Sequence, residues 1–160
     1  MGDPIVKIED VVWRKLRSVR DERGSLTAIE GALDIPFEIE RVFYMHDIAP
    51  GSDRGGHAHR DTDQLAVAVH GTVHLRVSDG RSARLILLDD PTWGLLLPRM
   101  TWTRLMHFSP GAVCVVLAST HYDMSQSIRS WGAYLAERGY PDGAEPTTGP
   151  HLMRPVVDRP

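Results

Sequence analysis

The feature that most limits the possible folds is a series of short apolar runs between residues 25 and 119. Turn-forming residues separate the runs about every 8 to 12 positions. In order, the runs are SLTAIEG, IERVFYMHDI, RGGHAH, QLAVAVHG, TVHLRVSDG, ARLILLDD, WGLLLP, TWTRLMHF and AVCVVLAS. Short strands at this spacing are typical of a β-sandwich or β-barrel, so the sequence predicts an all-β fold.

The run TVHLRVSDG shows how such a strand is oriented. Val73, Leu75 and Val77 alternate with polar residues, which is the period of two expected for a half-buried strand. Asp79-Gly80 then supplies the residues that a tight turn requires. We therefore expect a hairpin at this point.

One amphipathic helix is expected near the end of the chain, at about residues 127 to 138. It follows the candidate caps Ser125 and Ser127, and its apolar residues are Ile128, Trp131, Tyr134 and Leu135. Beyond Gly139 the sequence is rich in Pro and Gly and has no periodicity. We interpret residues 1–138 as one domain and residues 139–160 as a tail that is flexible or draped over a neighbouring surface.

Composition excludes several classes of function. The chain has 160 residues, which fits one domain, and its formal net charge of -3 provides no basic surface for nucleic acid. Cys114 is the only cysteine, so a multi-cysteine zinc site is excluded, and its apolar neighbours predict a buried strand position. The sequence shows no signal peptide and no membrane span, so we expect a cytoplasmic protein without a membrane partner.

Two histidines stand one residue apart in GSDRGGHAHRDTDQLAVAVHG, residues 51–71. The stretch resembles the first motif of cupin barrels, G-x5-H-x-H-x4-E-x6-G, with Gln64 in place of the glutamate. Because alternate residues of a strand share a face, His57 and His59 point to the same side. The resemblance implies a cupin, or jelly-roll, β-barrel with the pair facing its interior.

The resemblance to metal-binding cupins is incomplete. In those proteins the two histidines, the glutamate and a later histidine bind the ion, and the later histidine corresponds here to Thr103 in PRMTWT. An amide and a hydroxyl thus replace two of the four ligands. Two neutral imidazoles alone make a poor site for a divalent ion, so we expect no metal and no cofactor. Arg54, close before the pair, instead favours a site for an anionic substrate.

Several further segments together resemble the dTDP-sugar 3,4-ketoisomerases, which are metal-free cupins. They lie between about residues 20 and 137 and include DERGSLTAIE, IPFEIERVFYMHD, RGGHAHRDTDQ, WGLLLP and SIRSWGAYL. The resemblance implies conversion of dTDP-4-keto-6-deoxyglucose to a 3-keto isomer through an enediol, for deoxyamino-sugar biosynthesis. Histidine suits such proton transfer because its pKa lies near neutrality.

The resemblance also implies roles for individual residues. His57 and His59 match the family's two active-site histidines, with His59 assigned to the carbon-bound proton. Tyr44 matches a tyrosine that faces the pocket. Arg54 is assigned to the diphosphate or the sugar, and Arg41 is a second candidate for phosphate.

Three further substrate-binding residues are expected. Gln64 is placed where it could orient a histidine. Arg23 and Thr103 occupy the two positions that the family links to the configuration at carbon 4. Their combination fits neither the galacto-producing nor the gluco-producing pattern, so the configuration of the product stays open.

Relatives form homodimers by strand exchange, and the N-terminal segment VVWRKLRSV could be the strand that pairs with a second copy. Three alternatives to the ketoisomerase remain at this point. They are a cupin sugar-nucleotide epimerase, a metal-dependent cupin oxygenase, and a binding module that holds a nucleotide sugar without turnover.

Overall fold

The computed structural model describes residues 5–156. Its strands are β1 (Val12–Lys15), β2 (Arg17–Asp21), β3 (Gly24–Ala28), β4 (Arg41–Met45), β5 (Arg54–His59), β6 (Gln64–His70), β7 (Val73–Ser78), β8 (Ala83–Leu88), β9 (Trp93–Leu97), β10 (Trp102–Met106), β11 (Val113–Ala118) and β12 (Ser127–Ile128). Two short 3-10 helices, Ile8–Asp10 and Met124–Gln126, and one α-helix, α1 (Trp131–Glu137), complete the secondary structure of these residues.

Ten of the strands form two five-stranded antiparallel sheets. Their orders are β1-β9-β6-β11-β4 and β12-β5-β10-β7-β8. The inward residues of both sheets meet in one apolar core, which includes Ala66 and Leu95 from the first sheet and Leu75 and Ile86 from the second. The predicted all-β jelly-roll barrel with one C-terminal helix is confirmed.

The hairpin predicted at Asp79-Gly80 is present between β7 and β8. The Asp79 carboxylate accepts hydrogen bonds from the backbone N–H groups of Arg81 and Ser82, and Gly80 has a φ of +98°. This left-handed backbone is one that glycine adopts without strain, so the turn needs glycine there.

The predicted helix begins four residues later than expected, at Trp131. Ser130 is its N-cap, and its side chain accepts a hydrogen bond from the Ala133 N–H. Ser127 and Ile128 are instead extended, because they pair with His59 and Ala58 of β5. Long-range strand pairing thus overrides the helical pattern in this segment.

The described part of the tail lies along the edge of β8. Thr148 forms a bridge with Ala83, and the Leu152 N–H donates to the Leu85 carbonyl over 3.1 Å. The Trp13 indole N–H in turn donates to the Leu152 carbonyl over 3.1 Å. The tail therefore covers the edge of β8, which would otherwise be exposed, and it contacts β1.

The N-terminal segment is divided between two sheets. β1 pairs with β9 of the same chain, whereas β2 and β3 form a separate two-stranded hairpin. β1 therefore has its strand partner, β9, within the same chain. Within residues 5–156, no helix has the length and apolar character needed to cross a membrane.

Candidate active site

The two histidines of the motif lie side by side on β5. Their ring centroids are 4.8 Å apart and the rings are nearly perpendicular, at 75°. Both rings line one small cavity inside the barrel, as strand alternation predicts. His57 lies opposite Thr103 of the neighbouring strand β10.

A glycine allows β5 and β10 to approach each other beside this cavity. Gly55 has a φ of +82°, and a Cβ atom there would lie 2.6 Å from the Thr103 carbonyl oxygen. The register between the two strands shifts between Thr103 and Arg104, which marks a bulge. Bulges of this kind re-aim side chains next to functional sites.

The cavity encloses about 60 Å³. Phe43, Met45 and Val116 form apolar walls, and Gln64 and Thr103 add an amide and a hydroxyl beside the histidines. Typical ligand pockets hold about 300 to 1,000 Å³, so the enclosed space can take only the reacting part of a substrate. The remainder of a nucleotide-linked sugar would have to lie outside it.

Both histidines are held in the neutral form at neutral pH. Burial lowers the pKa of His59 most, and the neighbouring His57 and Arg41 lower it further, to about 4. Burial is also the main cause that lowers the pKa of His57, followed by the charge of Arg129. A neutral imidazole has a free lone pair, so each ring can accept a proton.

Two arginines stand next to the histidine pair. The guanidinium of Arg41 lies over the Tyr122 ring, 5.3 Å from its centroid, and Arg129 donates to the Tyr122 hydroxyl over 3.5 Å. Arg41 Nε is buried and has no hydrogen-bond partner among the described residues. The arrangement offers a cationic site for an anion beside the cavity.

The structure brings together only part of the predicted site. Gln64 and Thr103 line the cavity with the two histidines, and Arg41 is close enough to lower a histidine pKa. Arg54 is exposed at the start of β5. Arg23 lies in the turn between β2 and β3 and pairs with Asp21 rather than with any residue of the cavity.

Tyr44 does not face the pocket, contrary to expectation. Phe43 and Met45, its neighbours on β4, line the cavity, so the alternation of the strand directs Tyr44 to the outer face. Its side chain is 62% exposed and lies against the His46 ring. This position gives no contact with the histidine pair.

Sequence reasoning missed three residues of the site, Tyr122, Ser127 and Arg129. Ser127 Oγ lies 3.4 Å from His59 Nδ1, and Arg129 acts electrostatically on both histidines. The segment SIRSWGAYL signalled a family resemblance and a helix, but not its proximity to β5.

Cys114 is fully buried in β11, as predicted, and burial raises the pKa of its thiol to about 12.

Within residues 5–156, no group of three or more His, Cys, Asp or Glu side chains could hold a metal ion. The donors around the cavity are two imidazoles, an amide and a hydroxyl.

Comparison with known proteins places this geometry in context. The family described as "FdtA: WxcM-like, C-terminal" matches residues 9–139. A TDP-4-oxo-6-deoxy-alpha-D-glucose-3,4-oxoisomerase of Aneurinibacillus thermoaerophilus is 38% identical over 115 residues, which cover 72% of this chain and 83% of that protein.

Comparison with solved structures likewise matches this chain to 3,4-ketoisomerases. A 3,4-ketoisomerase from Helicobacter canadensis matches with a TM-score of 0.79 and 35% identity, over 81% of this chain and 98% of its own. QdtA, a sugar 3,4-ketoisomerase from Thermoanaerobacterium thermosaccharolyticum in complex with TDP, matches with a TM-score of 0.80 and 34% identity, over 82% and 96%. A histidine-to-asparagine variant of QdtA was solved with TDP-4-keto-6-deoxyglucose.

Proposed function

The chain belongs to the family described as FdtA, WxcM-like, C-terminal, and from this membership we propose that it is a sugar-nucleotide 3,4-ketoisomerase. Its substrate is dTDP-4-keto-6-deoxyglucose and its product is a dTDP-3-keto-6-deoxyhexose. The observation that carries the proposal is the pair of neutral, partly buried imidazoles, 4.8 Å apart, at one cavity. One sequence relative is named a TDP-4-oxo-6-deoxy-alpha-D-glucose-3,4-oxoisomerase, and a solved structure with this fold is named a 3,4-ketoisomerase.

The reaction requires proton transfers and no oxidant. One imidazole takes the proton from carbon 3 while the keto oxygen at carbon 4 gains a proton, which gives an enediol. The oxygen at carbon 3 then loses its proton as carbon 4 receives one, so the carbonyl moves from carbon 4 to carbon 3. We assign the carbon-bound proton to His59 and the second acid/base role to His57, each worth about 10² to 10⁴ in rate.

The two arginines support binding of the nucleotide diphosphate. Arg41 and Arg129 flank Tyr122, and the buried Nε of Arg41 lacks a partner among residues 5–156. Guanidinium groups bind phosphate oxygens with two parallel hydrogen bonds, so this pair suits a diphosphate. Arg54, exposed at the start of β5, is retained as a candidate for the sugar or the diphosphate.

We propose a homodimer in which the N-terminal strands of one copy pack on the other. Among residues 5–156, the strands of the β2–β3 hairpin pair only with each other, and Val19 and Leu26 on its surface are 67% and 62% exposed. A lone two-stranded hairpin is at best marginally stable in water, so a second copy would provide the missing contacts. Arg23 lies in the turn of this hairpin, and a second copy could therefore bring it to a cavity.

Purified protein incubated with dTDP-4-keto-6-deoxyglucose and a partner 3-aminotransferase tests the proposal, with the product determined by NMR. The spectrum also gives the configuration at carbon 4. In deuterated water, His59→Asn should abolish deuterium incorporation next to the keto group while TDP binding persists. His107→Asn, an exposed histidine outside the cavity lining, is the matched control. Full exchange in His59→Asn would contradict the assignment.

A further inference from the structure

A hydroxyl group contacts one of the two histidines from a different part of the chain. Ser127 Oγ lies 3.4 Å from His59 Nδ1, and the Ser127 side chain is half-buried. The two residues are separated by 68 positions in the sequence. They are direct partners in the short antiparallel pairing of β12 with β5. Partners of this kind share one face of a sheet, so the contact follows from the register.

The backbone around Ser127 is fixed by contacts that do not involve the histidine. The Arg60 N–H donates to the Gln126 carbonyl over 2.9 Å, and its guanidinium donates to the Ser125 carbonyl over 2.5 Å. Ile128, the next residue, is buried in an apolar cluster with Ala58. The Ser127 hydroxyl is therefore held beside His59 by a strand that is paired with β5.

The chemistry of the two groups is complementary. A neutral imidazole has one N–H donor and one lone pair, while a serine hydroxyl can both donate and accept. When the proton of His59 is on Nδ1, Ser127 accepts a hydrogen bond from this N–H group, and Nε2 is a base. When the neutral ring carries its proton on Nε2 instead, Ser127 donates to Nδ1. When Nε2 has taken a proton as a base, both nitrogens are protonated, Ser127 still accepts from Nδ1–H, and Nε2 is an acid. Nε2 is the nitrogen left for the substrate in each case.

His57 has a different partner. The backbone of Gly55 hydrogen-bonds to it and favours its protonated form, as a carbonyl acceptor does. A carbonyl accepts but cannot donate, so it supports only the tautomer that carries a proton on the contacting nitrogen. The two histidines thus differ in which proton states their surroundings allow.

We propose that Ser127 is a positioning residue, whose hydroxyl orients the His59 ring by accepting a hydrogen bond from Nδ1–H while Nε2 takes and returns a proton. The inference rests on the proposed ketoisomerase function. The proton enters and leaves through His59 Nε2, and Ser127 neither gains nor loses one overall.

Kinetics of Ser127→Ala and Ser127→Thr with dTDP-4-keto-6-deoxyglucose test the role. Ser127→Ala should lower kcat about tenfold to hundredfold, the usual cost of removing an orienting partner. Its KM and its affinity for TDP should stay near those of the unmodified protein, and Ser127→Thr should restore most of kcat because it keeps the hydroxyl. Ser125→Ala is the matched control, since that hydroxyl bonds to Asp123 in the same segment. An unchanged kcat in Ser127→Ala, or equal losses in both Ser127 variants, would overturn the inference.

A second measurement separates this inference from the proposed function. Ring ¹⁵N NMR spectra of the substrate-free protein, recorded between about pH 6 and pH 8 where His59 is neutral, report which nitrogen carries the proton. Ser127→Ala should shift the two His59 nitrogen signals, while the other groups that act on this ring, His57, Arg41, Asp61 and Arg129, are unchanged. A wild-type protein without isomerase activity would refute the proposed function alone. Identical His59 signals in the two proteins would refute the role of Ser127.

Discussion

Acidification from about pH 7.5 to about pH 4.5 is expected to destabilise the fold by about 2 kcal/mol through His59. Burial, His57 and Arg41 lower the pKa of this ring in the folded protein to about 4, whereas in the unfolded chain it titrates near its ordinary value of 6.5. Above about pH 6.5 the ring is neutral in both states. Between the two values only the unfolded chain binds the proton, so stability falls as the pH falls through this window.

The magnitude follows from the width of the window. Each pH unit between the two pKa values corresponds to about 1.4 kcal/mol, which gives about 3 kcal/mol for a fully shielded ring. His59 lines a cavity that is partly open to solvent, and solvent screening reduces the expected effect to about 2 kcal/mol.

Urea unfolding of the wild type and His59→Asn at a fixed protein concentration measures the effect. The difference between the two pH profiles cancels the carboxylates, which titrate in both proteins. The rings of His57 and His59 are adjacent, so loss of one ring also eases protonation of the other. The difference between the two stability profiles therefore reports the titration of the histidine pair. Parallel profiles for wild type and His59→Asn would refute the assignment of a strongly lowered pKa.

Three further outcomes are expected. Arg129→Ala should weaken TDP binding at least about tenfold in calorimetry, because the proposed charge-assisted contact to the diphosphate would be lost. Val19 and Leu26 are register partners on one face of the hairpin, so replacing both with Asp should convert the proposed dimer to a monomer in light scattering, whereas Ser18→Asp on the other face should not. Arg76→Ala should lower the free energy of unfolding by about 1 to 3 kcal/mol, because its guanidinium binds Glu145 and Thr148 of the tail from a largely buried position.

The fold was predictable because its signals are local. Period-two alternation at Val73–Ser78 and the turn at Asp79-Gly80 specify a hairpin without knowledge of the rest of the chain. The spacing of His57 and His59 likewise predicts that both face one side. These parts of the site depend only on the geometry of a single strand.

The wrong orientation predicted for Tyr44 and the missed site residues have two physical causes. β4 reads Val42-Phe43-Tyr44-Met45, apolar on both faces, so no alternation shows which side is inward, and the prediction that Tyr44 faces the pocket is wrong. Ser127 reaches His59 through strand pairing across 68 residues, and Arg129 follows the same strand, which no local pattern reports. The apolar pattern from about residue 127 predicts a helix, whereas Ser127 and Ile128 form a strand that pairs with β5.

The same arginines that suit the diphosphate also act on the histidines, and this links binding to proton transfer. In the free protein Arg41 and Arg129 help to keep His59 neutral, after burial and His57. A bound diphosphate would offset their positive charge and raise the pKa of the ring towards neutrality. A ring whose pKa approaches the working pH exchanges protons more readily in both directions. The acid limb of kcat, which reports the substrate complex, should therefore lie at higher pH than the acid limb of kcat/KM, which reports the free enzyme. Coincident limbs would show that the arginines bind the diphosphate without tuning the histidines.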